Sequence, residues 1–305
     1  MLDNFNTLIS KYKGWISFDL IKDKKYFTSG GSCDIYKGIY NSENIILKIF
    51  DSKNYHYENG VLEDLLNELE IYNLLENTKK DQLCHCYGYS FSNFNNGYQT
   101  YLILKDYGGQ GDLCDIIKNE KYWFKYNNNL NLNDYYYKFR DTEWKYNMNR
   151  NFKLQCTKSL CESIKQLHDN NIVHCDLKPN NILFINDKII IIDFGASRFL
   201  DKEKVIITEE DMGTLGYMCE ELQFGICSEK SDIYSLGICI LELWVGEIWQ
   251  EGNNYKECRK EALNSLKYLE SKEKELSKII KKCILKDTKK RPYIQTVIKN
   301  LSKIV

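Results

Sequence analysis

Proline is nearly absent from this sequence of 305 residues, which contains only Pro179 and Pro292. Proline-rich linkers are therefore excluded. A long apolar run is also missing: a membrane-spanning helix needs ~20 such residues, and Glu242 interrupts the best stretch, 233–246. The start of the chain, MLDNFNTLISKYKGW, lacks the basic and then apolar order of a signal peptide. We expect a soluble, intracellular, cytoplasmic protein with no membrane partner.

Charge of neither sign is in excess. The 42 Lys+Arg residues face 43 Asp+Glu residues, which gives a net charge of −1. A basic nucleic-acid surface over the whole chain is therefore not expected, and neither is a nucleic-acid partner. The hydrophobic share of 43% is ordinary for a globular protein, and the length allows one large domain or two lobes that share a cleft.

Cysteine is plentiful, with 12 residues, but no CxxC pair occurs. Cys84 and Cys86 flank His85, a spacing too tight for a zinc site and without a second pair, so we interpret them as packing in a strand. Since no signal peptide directs the chain to an oxidising compartment, we expect free thiols.

Hydrophobic periodicity divides the chain into a β-rich part and an α-rich part. Strands are predicted over 15–27, 43–50 and 98–104, and a helix over 61–76, where leucines recur at helical spacing. Beyond residue 152 we predict mainly helices, with one strand hairpin. The predicted helices cover 153–168, 231–245, 256–269 and 272–286, and the hairpin covers 182–192.

Residues 119–151 break this pattern. They contain nine asparagines and no convincing period. We interpret them as a surface insertion that is partly disordered. The aromatic side chains of Trp123, Phe124 and Trp144 keep a second interpretation open, a docking element for a partner.

The segment HCDLKPNN, residues 174–181, carries the strongest chemical signal. Asp176 can accept a proton, Lys178 can neutralise an anionic group, and Asn181 offers a hard oxygen ligand. Four isoleucines then predict a buried strand over 189–192 that ends at Asp193, a carboxylate suited to Mg²⁺. A base, a cation and metal-ligand oxygens within one stretch are what phosphoryl transfer requires.

HCDLKPNN and the following IIDFG resemble the catalytic loop and the metal loop of the protein kinases, H-R-D-L-x-x-x-N and D-F-G. The resemblance runs from about residue 25 to about residue 298. It implies a bilobal protein-kinase-like fold of the α+β class, with a small β-rich N-lobe and a larger α-helical C-lobe. Residues 1–105 would form the N-lobe, 106–111 the hinge and 112–305 the C-lobe, with the insertion at about 119–151.

The same resemblance implies an activity and the residues that carry it. ATP would donate its γ-phosphoryl group to a protein hydroxyl, with Mg²⁺ as the second cofactor. Asp176 and Lys178 would be catalytic, and Asn181 and Asp193 would hold the metal. Lys48 and Glu68, 20 residues apart, correspond to the ion pair that positions ATP.

The glycine-rich loop departs from the family pattern G-x-G-x-x-G. Thr28, Gly30 and Cys33 fall on the three glycine positions, with Gly31 beside the one glycine that remains. The resemblance assigns these four residues to ATP binding. Backbone amides at the glycines can approach phosphates, whereas Cys33 would stiffen or displace the tip of the loop.

Asp106 completes the ATP-binding set that the resemblance implies, at the hinge. The residue at the gate to the back of the adenine pocket is then Lys105, or Leu104 if the alignment shifts by one. Asp232 corresponds to the helix aspartate that braces the catalytic loop, and Arg291 to the late arginine that pairs with Glu221.

Two alternatives to an active Ser/Thr protein kinase stay open. Small-molecule phosphotransferases share the catalytic Asp and the metal-binding Asn but usually carry histidine at the position of Lys178. In this sequence, Lys178 together with Thr214 resembles the Ser/Thr protein kinases. A pseudokinase that acts as an ATP-binding scaffold is suggested by the departures at Thr28, Cys33 and Lys105 and by Cys175. Cys175 replaces the arginine that anchors a phosphorylated activation segment, and we interpret it as a packed, inert thiol.

Overall fold

The computed structural model describes residues 14–29, 33–51, 58–76, 84–94, 97–107, 112–118, 149–185, 188–201, 204–207, 212–248 and 253–304. The chain divides into two compact units, Met1–Gly108 and Gly109–Val305. Within the described ranges, no helix is long and apolar enough to cross a membrane.

A five-stranded antiparallel sheet with the order β1-β2-β3-β5-β4 forms the first unit. Its strands are β1 (Lys22–Ser29), β2 (Asp34–Tyr40), β3 (Glu43–Asp51), β4 (Cys86–Phe94) and β5 (Gly97–Lys105). Asn41 and Ser42 join β2 to β3 with positive φ at both positions, the geometry that suits a two-residue hairpin turn. The strands predicted over 43–50 and 98–104 are confirmed.

The strand predicted over 15–27 is wrong in its first half. Phe18–Leu20 form a 3₁₀ turn, and β1 begins only at Lys22. The reason lies in Ile16 and Ile21, which are both buried in one hydrophobic cluster. Residues five apart on a strand point to opposite faces, so a turn between them is needed to bury both on one side.

The helix of the first unit, α1 (Glu58–Glu76), confirms the helix predicted over 61–76. Leu65, Leu69, Tyr72 and Leu75 are buried along one side of it. Their spacing of three and four residues is that of a single helix face, which explains why this sequence forms a helix and packs on the sheet.

The second unit is mainly helical. Its helices are α2 (113–118), α3 (Arg150–Asp169), α4 (Glu229–Val245), α5 (Tyr255–Glu270), α6 (Lys274–Cys283) and α7 (Ile294–Leu301). The first four predicted helices, over 153–168, 231–245, 256–269 and 272–286, correspond to α3, α4, α5 and α6, the last being shorter than predicted. Helices α2 and α7 were not predicted.

Three short antiparallel strand pairs complete the second unit. They are β6 (Ile172–Val173) with β9 (Arg198–Phe199), β7 (Ile182–Ile185) with β8 (Lys188–Ile191), and β10 (Ile206–Ile207) with β11 (Ile226–Cys227). The pairing of β7 with β8 confirms the hairpin predicted over 182–192.

Helix α3 begins inside the predicted insertion. The Asn149 side chain accepts a hydrogen bond from the Phe152 N–H at 2.9 Å, which caps the helix and starts it at Arg150. The predicted end of the insertion at residue 151 is therefore too late. Residues 119–148, with the three aromatic side chains of the docking interpretation, lie outside the described residues.

Candidate active site

Lys48 and Glu68 meet inside the first unit. Lys48 lies on β3 and Glu68 on α1, and the ammonium donates to the Glu68 carboxylate. Both residues are buried, with relative exposures of 5% and 0%. The strand and the helix thus hold a lysine charge at a fixed place, and a buried carboxylate compensates it.

The same carboxylate affects the neighbouring cysteines. Burial raises the pKa of the Cys84 thiol to about 12, and the negative charge of Glu68 adds to this effect. A thiol with so high a pKa stays protonated and is a poor metal ligand. Over the part of the chain that the structure describes, no group of three or more His, Cys, Asp or Glu side chains could hold a metal ion.

The register between β3 and β5 decides which of two side chains shares the face of Lys48. Lys48 stands opposite Leu102, and Ile46 stands opposite Leu104, while Lys105 is paired with Ile45. Since side chains alternate along a strand, Leu104 lies on the face of Lys48 and Lys105 on the other. Of the two alternatives for the gate position, the geometry favours Leu104.

The other predicted ATP-binding residues of the first unit are only partly described. Thr28 is an exposed residue of β1 opposite Ile35. Cys33 is half-buried. The Asp106 N–H donates to the Asn44 carbonyl at 3.1 Å. Gly30 and Gly31 lie outside the described residues.

Asp176, Lys178 and Thr214 form a closed triangle in the second unit. Lys178 Nζ donates to Asp176 Oδ2 and to Thr214 Oγ1, at 2.8 Å in each case. Thr214 Oγ1 donates in turn to Asp176 Oδ1 at 2.7 Å. Both carboxylate oxygens are therefore held by a donor. The Asp176 side chain is 16% exposed, so it remains open to solvent.

The contact of Thr214 with Asp176 and Lys178 was not predicted from the sequence. Thr214 lies 36 residues after Lys178 in the chain, and no spacing rule connects two loop residues so far apart. The sequence offered one indication of this contact: Thr214 carries a hydroxyl, follows the two kinase motifs and lies between Gly213 and Gly216.

Asn181 is oriented by the same loop. Its Nδ2 donates to the Asp176 carbonyl oxygen at 2.9 Å, so the amide oxygen points away from that carbonyl. Asp193 follows β8 in the left-handed region, with φ of +66°, and is half-buried. An amide oxygen and a carboxylate are hard donors of the kind that Mg²⁺ prefers, so these two residues fit the metal that the resemblance implies.

Asp232, near the start of α4, holds the main chain of the catalytic loop. Its Oδ2 accepts the His174 N–H at 2.9 Å, and its Oδ1 accepts the Cys175 N–H at 3.0 Å. These two hydrogen bonds are the contacts through which Asp232 would brace the catalytic loop. His168, at the end of α3, lies with its Nε2 2.9 Å from Asp232 Oδ2. A fully buried carboxylate thus receives three polar contacts, which fix the loop relative to two helices.

The His174 ring supports Asp176 from behind. Its Nδ1 accepts the Asp176 N–H at 3.3 Å, so its Nε2 carries the proton and donates to the Ile192 carbonyl at 3.1 Å. The ring is buried and therefore links the loop of Asp176 to the strand that leads to Asp193.

Comparison with known proteins decides the family. The sequence profile of the protein kinase domain matches residues 22–301. The chain belongs to the protein kinase family. A protein named as a serine/threonine-protein kinase in Acanthamoeba polyphaga mimivirus is 38% identical over 146 residues, which is 46% of this chain and 52% of that protein.

Other relatives cover more of the kinase chain. Serine/threonine-protein kinase MPS1 of Encephalitozoon cuniculi is 27% identical over 90% of this chain and 42% of its own length. A protein named as a LIM domain-containing serine/threonine-protein kinase in Dictyostelium discoideum is 25% identical over 98% of this chain and 28% of its own. The chain thus spans about half or less of each relative. Its sheet unit and helical unit are those of the bilobal α+β kinase fold.

The kinase pairs Cys175 with Cys227 in a disulfide, so the expectation of free thiols is wrong for these two residues. Cys227 ends β11, 52 residues after Cys175, and no spacing pattern pointed to it. The remaining ten cysteines form no disulfide. The interpretation of Cys175 as a packed thiol is therefore corrected: it is buried, but bonded.

The buried Arg291 and the half-buried Glu221 form an ion pair, as the resemblance implied. Arg291 Nη2 donates to Glu221 Oε2 at 3.0 Å, and Nη1 donates to Oε1. Burial by itself would raise the pKa of the Glu221 carboxyl, but the hydrogen bonds and charge of Arg291 outweigh burial and hold it below its ordinary value. The pair joins the 3₁₀ turn Glu220–Phe224 to the loop before α7.

Glu242 is a buried carboxyl of α4 that the sequence did not single out. Burial raises its pKa to about 7, although it accepts hydrogen bonds from the Tyr217 hydroxyl at 2.7 Å and the Ile248 N–H at 3.2 Å. Its interruption of the apolar stretch 233–246 was the available signal. The carboxyl ties the loop that carries Tyr217 to the helix.

The free energy of unfolding should depend on pH through Glu242. The folded chain holds a proton on this group up to about pH 7, and the unfolded chain releases it near the ordinary value of about 4.3. The contribution of Glu242 to stability should therefore fall as pH rises from about 4.5 to 7, by about 3.5 kcal/mol, since each pH unit is worth about 1.4 kcal/mol.

Glu242→Gln should remove this dependence. The amide oxygen can accept the Ile248 N–H and the amide N–H can donate to the Tyr217 hydroxyl, without a buried charge. Urea unfolding at pH 5 and pH 8 should show similar stability at pH 5 and a more stable variant at pH 8. The exposed Glu270→Gln is the control. A constant difference between wild type and Glu242→Gln at both pH values would contradict the prediction.

Proposed function

We propose that this chain is a catalytically active Ser/Thr protein kinase that transfers the γ-phosphoryl group of ATP to a hydroxyl of a protein substrate. The triangle of Asp176, Lys178 and Thr214 carries the proposal. A carboxylate with both oxygens oriented by donors, and still open to solvent, is positioned to take a proton from an incoming hydroxyl.

Asp176 would orient the substrate hydroxyl and accept its proton. Lys178, held 2.8 Å from the Asp176 carboxylate, would place its charge beside the moving phosphoryl group. Asn181 and Asp193 would hold Mg²⁺, which neutralises phosphate charge when bound. Thr214 would position the side chains of Asp176 and Lys178 relative to each other through its two hydrogen bonds.

Residues of the first unit would bind ATP. Lys48, fixed by Glu68, would contact phosphate oxygens of ATP, as the corresponding lysine does in protein kinases. We also assign Thr28, Gly30, Gly31 and Cys33 to the phosphate loop. Leu104 would stand at the gate of the adenine pocket.

Asp106 and the domain limits extend the proposal. Residues 106–111 would form the hinge between an N-lobe over 1–105 and a C-lobe over 112–305. The insertion, which ends before Asn149, would be a surface element that docks a partner. We propose a protein as the substrate, and we propose no nucleic-acid or membrane partner.

The test is phosphate transfer to a generic basic protein, together with ATP-dependent thermal stabilisation with and without Mg²⁺. An active kinase should show both transfer and Mg²⁺-dependent stabilisation by ATP. Stabilisation without transfer would favour the ATP-binding scaffold instead. Phosphoamino-acid analysis of the product should detect phosphoserine or phosphothreonine.

The ion pair of the first unit provides a separate prediction. Lys48→Met should reduce the rate of transfer at limiting ATP, and Glu68→Gln should reduce it less, because the amide can still accept from Lys48. The losses of the double variant should be well below their sum, since both changes break one interaction. Transfer rates of the four proteins, measured across a range of ATP concentrations, complete the cycle. Fully additive losses would show that the two side chains act independently.

A further inference from the structure

A groove of about 600 Å³ runs between α5 and α6 in the second unit, away from the triangle of Asp176. Its lining is strongly basic. The basic residues are Lys256, Arg259, Lys260, Lys267, Lys278 and Lys281. Glu270 is the acidic residue of the described lining. A chain with balanced overall charge thus concentrates positive charge in one concave site.

One face of α5 forms a wall of this groove. Lys256, Lys260, Leu263, Lys267 and Glu270 recur at intervals of four and three residues, so they lie in one stripe along the helix. This stripe differs from the buried one that anchors the helix, formed by Cys258, Ala262, Leu266 and Leu269. Helix α5 therefore has one face for the core and a second face for the groove.

The fold does not neutralise most of these charges. Among the described residues, Lys278 has a carboxylate partner, Glu275 at 2.7 Å, whereas no carboxylate lies within 4 Å of Lys256, Lys260, Lys267 or Lys281. Lys256 and Lys260, four residues apart, repel each other, whereas Lys267 and Glu270, three residues apart, attract, so the charges of the stripe add little to the stability of the helix. Stability of this chain alone does not explain it.

The groove also has an apolar element. Leu263 is 39% exposed between Lys260 and Lys267, and the buried Leu266 contributes to the lining. Single-stranded nucleic acids usually bind where aromatic side chains stack on the bases, and the described lining contains no aromatic residue. A lipid surface is too flat for a groove. An acidic peptide with an apolar side chain between its carboxylates matches both features.

We propose that the groove between α5 and α6 binds an acidic segment of a partner protein. From Lys256 to Glu270 the stripe is about 21 Å long at 1.5 Å per residue. An extended chain advances about 3.3 Å per residue, so about six residues would fill it. An apolar side chain of the segment would contact Leu263, and flanking Asp or Glu side chains would pair with the lysines.

Fluorescence anisotropy with a labelled peptide, Asp-Glu-Leu-Asp-Glu-Glu, tests this proposal directly and does not depend on kinase activity. The pair of changes Lys260→Glu and Lys267→Glu should weaken binding about tenfold or more, because two attractive charges become repulsive. Both side chains are exposed, so the melting temperature should change little. Affinity should also fall as salt increases.

A matched control separates the groove from the general charge of the protein. Lys299→Glu with Lys303→Glu makes the same change in net charge at exposed positions outside the lining. This control should bind the peptide with nearly wild-type affinity. Equal weakening in both double variants would mean non-specific attraction and would overturn the proposal.

The identity of the occupant is tested by the same assay. Leu263→Ser should weaken binding of this peptide but not of a peptide with serine at the leucine position. A poly-uridine oligonucleotide or vesicles with phosphatidylserine should compete weakly. If either bound more tightly than the peptide and lost affinity in the groove variant, the acidic-peptide proposal would be wrong.

Discussion

Asp176→Asn should lower the rate of phosphoryl transfer by about 10²- to 10⁴-fold, the usual contribution of a general base. The amide keeps the shape of the carboxylate and loses the ability to accept a proton. The surrounding contacts allow this substitution: the amide oxygen can accept from Lys178, and the amide N–H can face the Thr214 hydroxyl, which can rotate to accept it. The loss should therefore appear in kcat, with ATP binding nearly unchanged.

The measurement is kcat for a protein substrate together with ATP-dependent thermal stabilisation. Asp169→Asn is a matched control, because Asp169 is an exposed carboxylate paired with Lys165 at the end of α3. It should retain wild-type turnover. Wild-type turnover in Asp176→Asn would show that the catalytic loop has been assigned to the wrong residue.

The parts of this kinase that follow from sequence are those with a local code. Helix α1 was predicted because burial on one face imposes a period of 3.6 on the residues, and strand β3 because its segment is rich in β-branched and aromatic residues. The segment 174–181 was predicted because its base, cation and amide stand within six residues of each other. In each case the residues that contact one another or act together are also close to one another in the sequence.

The parts that were missed depend on distant contacts. Thr214 reaches Asp176 across 38 residues, and Cys175 reaches Cys227 across 52. The turn over Phe18–Leu20 is set by the shared cluster of Ile16 and Ile21, which a β-rich composition conceals. Such features depend on tertiary packing, which outweighs local preference.

Replacement of Arg291 tests the ion pair that joins the turn Glu220–Phe224 to the loop before α7. The residue is 2% exposed, and its guanidinium donates to Glu221 and to the carbonyls of Leu285 at 2.7 Å and Lys230 at 3.0 Å. Arg291→Met fills similar space but leaves the Glu221 carboxylate, which is 13% exposed, and the Leu285 carbonyl without the donors of Arg291. Removing one partner of a buried ion pair costs about 3–5 kcal/mol, so the free energy of unfolding should fall by that amount.

The matched control is Lys290→Met, the neighbouring residue. Lys290 pairs with Asp287 at 3.3 Å, but both side chains are exposed, and such pairs contribute about 0–1 kcal/mol. Urea unfolding of wild type and both variants at pH 7 should therefore separate the two effects clearly. A loss in Arg291→Met no larger than that in Lys290→Met would show that the ion pair does not stabilise the fold.

The pH dependence of this difference gives an independent check. Because Arg291 holds the pKa of Glu221 below its ordinary value, the pair stabilises the fold above that ordinary value and loses its effect as pH falls through the lowered pKa. The gap in stability between wild type and Arg291→Met should thus be full at pH 7 and should narrow below about pH 4. Glu221→Gln should show a smaller loss at pH 7, since its amide oxygen still accepts from Arg291. A gap that stayed constant down to pH 3 would mean that Arg291 acts through its carbonyl contacts rather than through the Glu221 charge.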